Sequence, residues 1–359
     1  MPISPQNSSG MAAMGRKWCK IHPILIGNMP TKGPMEMQPA RIMEITAVAE
    51  AAAIASAAWV GLGDKMAADQ AATEAMRQAF NDISFSGRIV IGEGERDEAP
   101  MLYIGEELGL GGEEIDIAVD PLEGTNLCAY DRPAAWCTIA VAPRGALLYA
   151  PDTYMWKVAA GPACKGKVGI EKTPTENVEA VAAALGKPVS EVTVCILDRD
   201  RHKAIIEELH GTGCRVKTID DGDVYWCIAT ALPESGVDLV MGAGGSPEAV
   251  LSATGLKAVG GEFSARLGFD ADPHGAEKRA RAEKMSDIDL DAVLTMDDLV
   301  RSDDAMFVGC AVTGSELLDG VHRYSDGTIT TETLVLNARD RSVRIIKSCH
   351  RGEAGAVRI

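Results

Sequence analysis

At 359 residues the chain is long enough for two domains, or for one large two-part α/β unit with a sizeable core. Its 46% hydrophobic and 24% charged residues are an ordinary globular balance. No apolar run near the roughly 18–20 residues that cross a bilayer stands out, which argues against a membrane role. A formal net charge of −17 would repel a phosphate backbone, so nucleic-acid binding is disfavoured and any phosphorylated ligand must be met by local cations.

The first 35 residues carry Arg16, Lys17, Lys20 and Lys32, no acid, and five of the fifteen methionines. A transit peptide shares the lack of acids but is richer in Ser and Arg. Residues 1–40 therefore read as a flexible basic tail, an upstream in-frame start or an expression remnant, with Met35, Met37 and Met43 as alternative starts. From Glu44 to Val60 an Ala-rich stretch with Ile45, Val48, Ala52 and Trp59 predicts a helix, stopped by Gly61 and Gly63; a second helix runs from Lys65 to Phe80. Arg88-Ile89-Val90-Ile91 predicts a strand running into Gly92-Glu93-Gly94-Glu95-Arg96-Asp97-Glu98. Ile115-Asp116-Ile117-Ala118-Val119 predicts another, running into Asp120-Pro121-Leu122-Glu123-Gly124-Thr125. Two strands thus end in acidic, Gly-containing loops.

Further on, strands are predicted at Thr193–Leu197, Arg215–Ile219 and Val237–Met241. They alternate with helices from Arg201 to His210, closed by Gly211, and from Val224 to Leu232; Gly242-Ala243-Gly244-Gly245 then precedes another helix. Such alternation argues for a largely parallel sheet covered by helices, with ligands beyond the carboxyl ends of the strands, where Asp198, Asp221 and Gly244 fall. Residues 266–300 are charge-rich and read as a surface helical excursion, and Asp326-Gly327 as a hairpin turn.

The six histidines and nine cysteines form no metal-binding spacing, so zinc has no support and any metal should be held by oxygen. The odd cysteine count, with no C-x-x-C pair, fits reduced thiols in a cytosolic protein. Mg²⁺ and Mn²⁺ take carboxylate oxygens. In the second acidic loop Asp120 and Glu123 can converge, Gly124 lets a phosphate approach the backbone, and Thr125 can orient a water or a phosphate oxygen. The structural alternative is a solvated turn with Asp120 capping a helix. The acids of Gly92-Glu93-Gly94-Glu95 also suit an exposed loop, Asp69 can pair with Lys65 one turn earlier, and Glu248 in Ser246-Pro247-Glu248 can simply complement a helix dipole. Arg199, Arg201, His202 and Lys203 can grip a second phosphate or merely solvate a helix start. Asp221-Gly222-Asp223 offers acceptors for sugar hydroxyls but also makes a good turn and cap.

Several blocks together resemble class II fructose-1,6-bisphosphatases: Lys65-Met66-Ala67-Ala68-Asp69, Ile91 through Glu106, Asp120 through Thr125, and Ala150-Pro151-Asp152-Thr153-Tyr154-Met155. The resemblance continues through Arg201-His202, Asp220 through Val224, Gly244 through Glu248, and Thr330 through Leu334, from about residue 41 to the end. It implies an α/β fold of stacked helix and sheet layers (α+β layered), the sugar-phosphatase fold shared with inositol monophosphatases. Asp69, Glu93, Asp120, Glu123 and Glu248 become ligands of Mg²⁺ or Mn²⁺. Glu123, Gly124, Thr125, Tyr154, Arg199, Asp200, Arg201, Asp221, Gly222, Asp223 and Gly245 become substrate contacts, and Thr125, Asp120 and Glu123 the catalytic set. Residues 41–190 would form a metal-binding half, and residues 191–359 a substrate-binding half contributing Glu248. The implied enzyme is a cytoplasmic homo-oligomer, dimer or tetramer, that hydrolyses the 1-phosphate of a small-molecule sugar bisphosphate, fructose 1,6-bisphosphate. Two features depart from the pattern: Ala249, where that family commonly has Gly, and the basic tail.

Sedoheptulose 1,7-bisphosphate, alone or in addition, is the nearest alternative substrate. A non-catalytic sugar-phosphate or metal-binding protein is an alternative of another class, which the intact acidic set and Thr125 argue against. An inositol-phosphate phosphatase fits the motifs less well.

Overall fold

The computed structural model describes residues 39–93, 101–151, 153–232, 235–285 and 289–351. The basic tail up to residue 38, residues 94–100 of the first acidic loop, and Asp152 lie outside them. The first half contains α1 (Pro39–Ser56), α2 (Lys65–Asn81), β1 (Ser86–Ile91), β2 (Glu107–Leu108), β3 (Glu114–Glu123), α3 (Thr125–Ala129), β4 (Trp136–Pro143), β5 (Tyr154–Ala160) and α4 (Pro174–Leu185). There follow β6 (Thr193–Leu197), α5 (Lys203–Thr212), β7 (Arg215–Ile219), α6 (Asp223–Ala229), β8 (Leu239–Gly245), α7 (Ser246–Val259), β9 (Glu262–Leu267) and α8 (Gly275–Met285). The last elements are β10 (Leu294–Thr295), α9 (Met296–Leu299), β11 (Met306–Ala311), β12 (His322–Arg323), β13 (Ile329–Asn337) and β14 (Ser342–His350).

Two sheets organise these elements. An eight-stranded sheet runs β12-β13-β11-β4-β3-β1-β2, with β14 on β13, and a six-stranded sheet runs β10-β9-β5-β8-β6-β7. Alternation along β4 shows how the layers form: Cys137, Ile139 and Val141 join a core with α1 and α2, while Trp136, Ala140 and Ala142 join one with α6 and α7. Helix α7 packs against β3, β4, β11 and β13 of the first sheet and also against β5, β8 and β9 of the second. Val158, Val194, Ile196 and Leu239 of the second sheet share a third core with Val178 and Val181 of α4 and Leu209 of α5. The stacked helix and sheet layers of a mixed α/β protein result. Each fully buried aliphatic side chain in these cores contributes about 1.5–3 kcal/mol of transfer free energy.

Local signals account for most boundaries. Asp64 caps α2 by accepting from Ala67 N–H at 3.0 Å, and Thr173 and Glu176 form a reciprocal capping box at α4. The hairpin at Asp326-Gly327 joins β12 to β13, and α8 lies within the charged excursion. Among the described residues eight cysteines are free.

Four expectations need correction. The sheets are not largely parallel: among the described residues parallel pairing is confined to β1–β3, β6–β7 and β6–β8, because β5 and β9 enter the second sheet antiparallel. The strand expected to end at Met241 runs on through Gly242–Gly245 as the end of β8, paired residue for residue with Tyr154–Lys157 of β5. Helix α5 runs past Gly211 and is closed by Gly213, which takes the left-handed conformation at φ 81°. Finally, Ala40–Trp59 does reach the length and apolarity of a membrane-crossing helix, with mean hydropathy 1.4. Its apolarity has a packing explanation, since Ile42, Ile45, Val48, Ala49, Ala52 and Ala53 are buried against the first sheet and α2.

Candidate active site

The cluster starts from an irregularity in β3. Opposite it on β4, Asp120 pairs with Thr138 and Glu123 with Trp136, so three steps on β3 match two on β4. In a regular strand, residues three apart point to opposite faces. The extra residue of this bulge turns Asp120 and Glu123 to the same side. Pro121 is tolerated because a bulged position needs no ladder N–H, and Leu122 N–H donates to Asp120 Oδ1 at 3.1 Å. Gly124, at φ 83°, then reverses the chain so that Thr125 opens α3.

Glu248 arrives from the first turn of α7. Its carboxylate lies over Gly245, where a Cβ would sit only 2.0 Å from Glu248 Oε2. Ligand atoms of Asp120, Glu123 and Glu248 all lie within 4.8 Å of one another. Asp69 of α2 and Glu93, just after β1, complete the wall of a cavity of about 310 Å³, which Gly124, Thr125 and Asp221 also line. Among the described residues that line it there is no lysine, arginine or histidine.

So many acids without a cation cannot all ionise. Burial, then Asp69 and Glu248, push Glu93 up to about 8. Burial raises Glu123 to about 8 and Glu248 to about 7, the latter against the pull of Lys157. Asp120, buried and beside Glu123, is driven well above the carboxylate range, and burial alone raises Asp69. Lys65 has no part in that shift, so the ion pair offered as the plain account of Asp69 does not explain it. Glu248 Oε2 is buried and has no hydrogen-bond partner among the described residues. An orphaned carboxylate oxygen in an all-oxygen donor set fits a hard divalent cation.

The expected substrate contacts fall into groups. Asp221 lines the cavity and accepts from Asn126 Nδ2 at 3.2 Å. Gly222 precedes α6, and Asp223, its first residue, pairs with Lys157 at 2.7 Å. Tyr154 lies opposite Gly245 across the β5–β8 ladder. The Arg201 guanidinium stacks 4.4 Å from the Tyr154 ring centroid and donates twice to Ala243 O, at 3.1 and 2.6 Å. Arg199 donates to the carbonyls of Asp198 and Asp220. Asp200 is not brought in: its side chain is 94% exposed and paired with Lys203. His202 is buried and serves the fold, with Nδ1–H donating to Leu197 O at 2.7 Å and Nε2 accepting from Ala243 N–H at 2.8 Å; burial lowers its pKa.

Two polar residues escaped the sequence reading. Lys157 interrupts the otherwise apolar strand Met155–Ala160, and a lone charge in such a run is itself a signal. Asn126 follows the acidic loop directly and carries no signal beyond that adjacency.

The family described as bacterial fructose-1,6-bisphosphatase, glpX-encoded, matches residues 40–350. A D-fructose 1,6-bisphosphatase class 2/sedoheptulose 1,7-bisphosphatase of Nostoc sp. (strain PCC 7120) is 42% identical over 329 residues, covering 86% of this chain and 95% of that protein. A protein of the same description from Prochlorococcus marinus (strain NATL1A) is 44% identical over 319 residues, with the same coverage of 86% and 95%. A solved inositol monophosphatase from Anabaena (Nostoc) sp. PCC 7120 aligns at 17% identity over 54% of this chain and 70% of that chain. Its TM-score of 0.28 is too low to bear on the fold.

Proposed function

Because this chain belongs to the family of glpX-encoded bacterial fructose-1,6-bisphosphatases, we propose that its acidic cavity hydrolyses the 1-phosphate of fructose 1,6-bisphosphate, releasing fructose 6-phosphate and phosphate. The observation that carries this reading is the convergence of Asp120, Glu123 and Glu248, with an orphaned buried oxygen, beside Thr125 and Asp221. Sedoheptulose 1,7-bisphosphate is a second substrate of the same site, favoured by the double description of the relatives.

In this reading Asp69, Glu93, Asp120, Glu123 and Glu248 hold Mg²⁺ or Mn²⁺. When bound, such cations neutralise phosphoryl oxygens and activate water. The chain's own groups do the remainder. Thr125 orients the attacking water with its hydroxyl. Gly124 keeps the backbone bare where the phosphate approaches. Asp221, steadied by Asn126, accepts from a sugar hydroxyl. Arg201 uses two of its five N–H donors on Ala243 O, and the stack on Tyr154 fixes its plane, so the remaining donors are preorganised for the distal phosphate. Arg199 stands beside it. A homo-oligomer of two or four copies and a cytoplasmic location belong to the same proposal.

The test is phosphate release from a panel of sugar bisphosphates, each with Mg²⁺ and with Mn²⁺. Turnover of fructose 1,6-bisphosphate that needs the metal is the expected result. Metal binding with no turnover on any bisphosphate would favour the non-catalytic alternative.

A further inference from the structure

Among the described lysines and arginines, Lys157 alone is fully buried, 1% exposed in the middle of β5. Its Nζ lies 2.7 Å from Asp223 Oδ2, and Asp223 opens α6. The next residue, Val224, donates its N–H to Glu123 Oε1 at 3.0 Å, and Glu123 ends β3 in the other sheet. Two contacts therefore connect β5, through the first turn of α6, to the carboxylate cluster. Gly244 closes over the pair so tightly that a Cβ there would lie 2.4 Å from Asp223 Oδ2 and 2.9 Å from Lys157 Nζ. The pair has no room to shift toward β8.

An ordinary buried ion pair would only need to hold one helix to one strand. This one holds the turn that presents Asp221 to the cavity two residues upstream and fixes Glu123 one residue downstream. Burial opposes the charge on Lys157, but Asp223, with Cys227 and Glu248, outweighs it and keeps the ammonium protonated. Its partner cannot rotate away without leaving that charge buried and unpaired.

We propose that Lys157 is a positioning residue for the phosphatase reaction: it fixes Asp223, and with it the first turn of α6 that orients Asp221 and Glu123. This rests on the phosphatase reading above.

The test is a double-mutant cycle with Lys157→Met and Asp223→Asn in the full chain, read as kcat, KM and Mn²⁺ affinity by titration calorimetry. Lys157→Met should lower kcat/KM on fructose 1,6-bisphosphate by about 100-fold in the wild-type background, the scale of a displaced positioning group. In the Asp223→Asn background it should change kcat/KM by less than about threefold, because a residue acting through Asp223 has nothing left to act on. Mn²⁺ binding should weaken by about tenfold in Lys157→Met as Glu123 loses its support, and Lys157→Arg should recover part of both losses. If Lys157→Met does not fold, the double variant measured against wild type carries the test, since neither partner is then left charged and alone: it should still lose about 100-fold in kcat/KM and about tenfold in Mn²⁺ affinity, and wild-type values would overturn the proposal. Additive losses in the cycle, or tighter Mn²⁺ binding on removing the lysine, would mean that Lys157 acts on the cluster by its charge alone, and would overturn the proposal. Were the wild-type chain inactive on every bisphosphate, the phosphatase reading would fail, and the Mn²⁺ affinities of the same cycle would still decide whether Lys157 positions Glu123.

Discussion

Gly245→Ala separates the metal cluster from the fold. Gly245 sits at φ −65° and ψ 152°, a conformation open to alanine, so the backbone is not strained. The new methyl, however, would meet Glu248 Oε2 at 2.0 Å and Cδ at 2.8 Å. An ordinary C···O approach is about 3.3–3.6 Å, so the carboxylate must swing by well over 1 Å. Because the obstructed atoms are the far end of a flexible side chain, the cost falls on the position of Glu248 and not on α7. Losing Gly as a helix cap costs a few tenths of a kcal/mol to about 1 kcal/mol, partly offset by a stiffer unfolded chain. The melting temperature of the metal-free protein should therefore move by no more than about 3 °C. Mn²⁺ affinity should fall about 10- to 100-fold, the range for a disturbed ligand, and kcat should recover only at correspondingly higher metal. Calorimetric titration alongside thermal unfolding reads both quantities. If KM for the bisphosphate rose while Mn²⁺ affinity stayed within twofold of wild type, Gly245 would be a substrate contact alone, and the placement of Glu248 in the cluster would be wrong.

Asp120→Asn keeps size but removes the charge that holds a hard cation, and should leave less than about a tenth of the metal-dependent turnover with circular dichroism unchanged. Arg201→Ala should lower kcat/KM on a bisphosphate roughly ten- to a hundredfold, as the loss of charged hydrogen bonds to the distal phosphate requires, and change little on a monophosphate. Equal losses on both would put Arg201 at the reacting phosphate. The metal-free protein should melt at progressively lower temperature between about pH 4.5 and pH 8: Glu93, Glu123 and Glu248 are raised in the folded state to about 8, 8 and 7, so the folded chain keeps protons that the unfolded chain has already released. Saturating Mg²⁺ or Mn²⁺, which bind the ionised carboxylates, should flatten that slope; the same slope with and without metal would refute the assignment of these groups to a cation site.

What could be read from the sequence was chemistry held locally. Acids at the ends of Arg88–Ile91 and Ile115–Val119 stood out because glycine and proline set them apart from apolar runs, and the structure brings Glu93, Asp120 and Glu123 to one cavity. Partners supplied from far along the chain were less legible. Glu248 looked as much like a helix-dipole residue as a site residue, since its convergence on Asp120 depends on how two sheets share α7. The direction of β5 and β9 is a tertiary choice that alternating elements do not encode, which is why a parallel sheet was expected. The strand was expected to stop at Met241, before Gly242 through Gly245, because glycine is poor in strands. In β8 the absent side chains make room for Asp223, Lys157 and Glu248, a requirement invisible until those neighbours are placed.

The bulge in β3 has a consequence for how this segment can vary in descent. Deleting either Pro121 or Leu122 would restore a regular ladder with the two acids two residues apart and so still on one face, whereas closing the bulge at the present length would turn Glu123 toward the opposite layer. Both hydrophobic neighbours could be exchanged for others of similar bulk with far less harm. Over generations the facing of the two acids therefore depends on the bulge and the length together: the stretch can change its letters, but at its present length it cannot lose the bulge without parting Asp120 from Glu123.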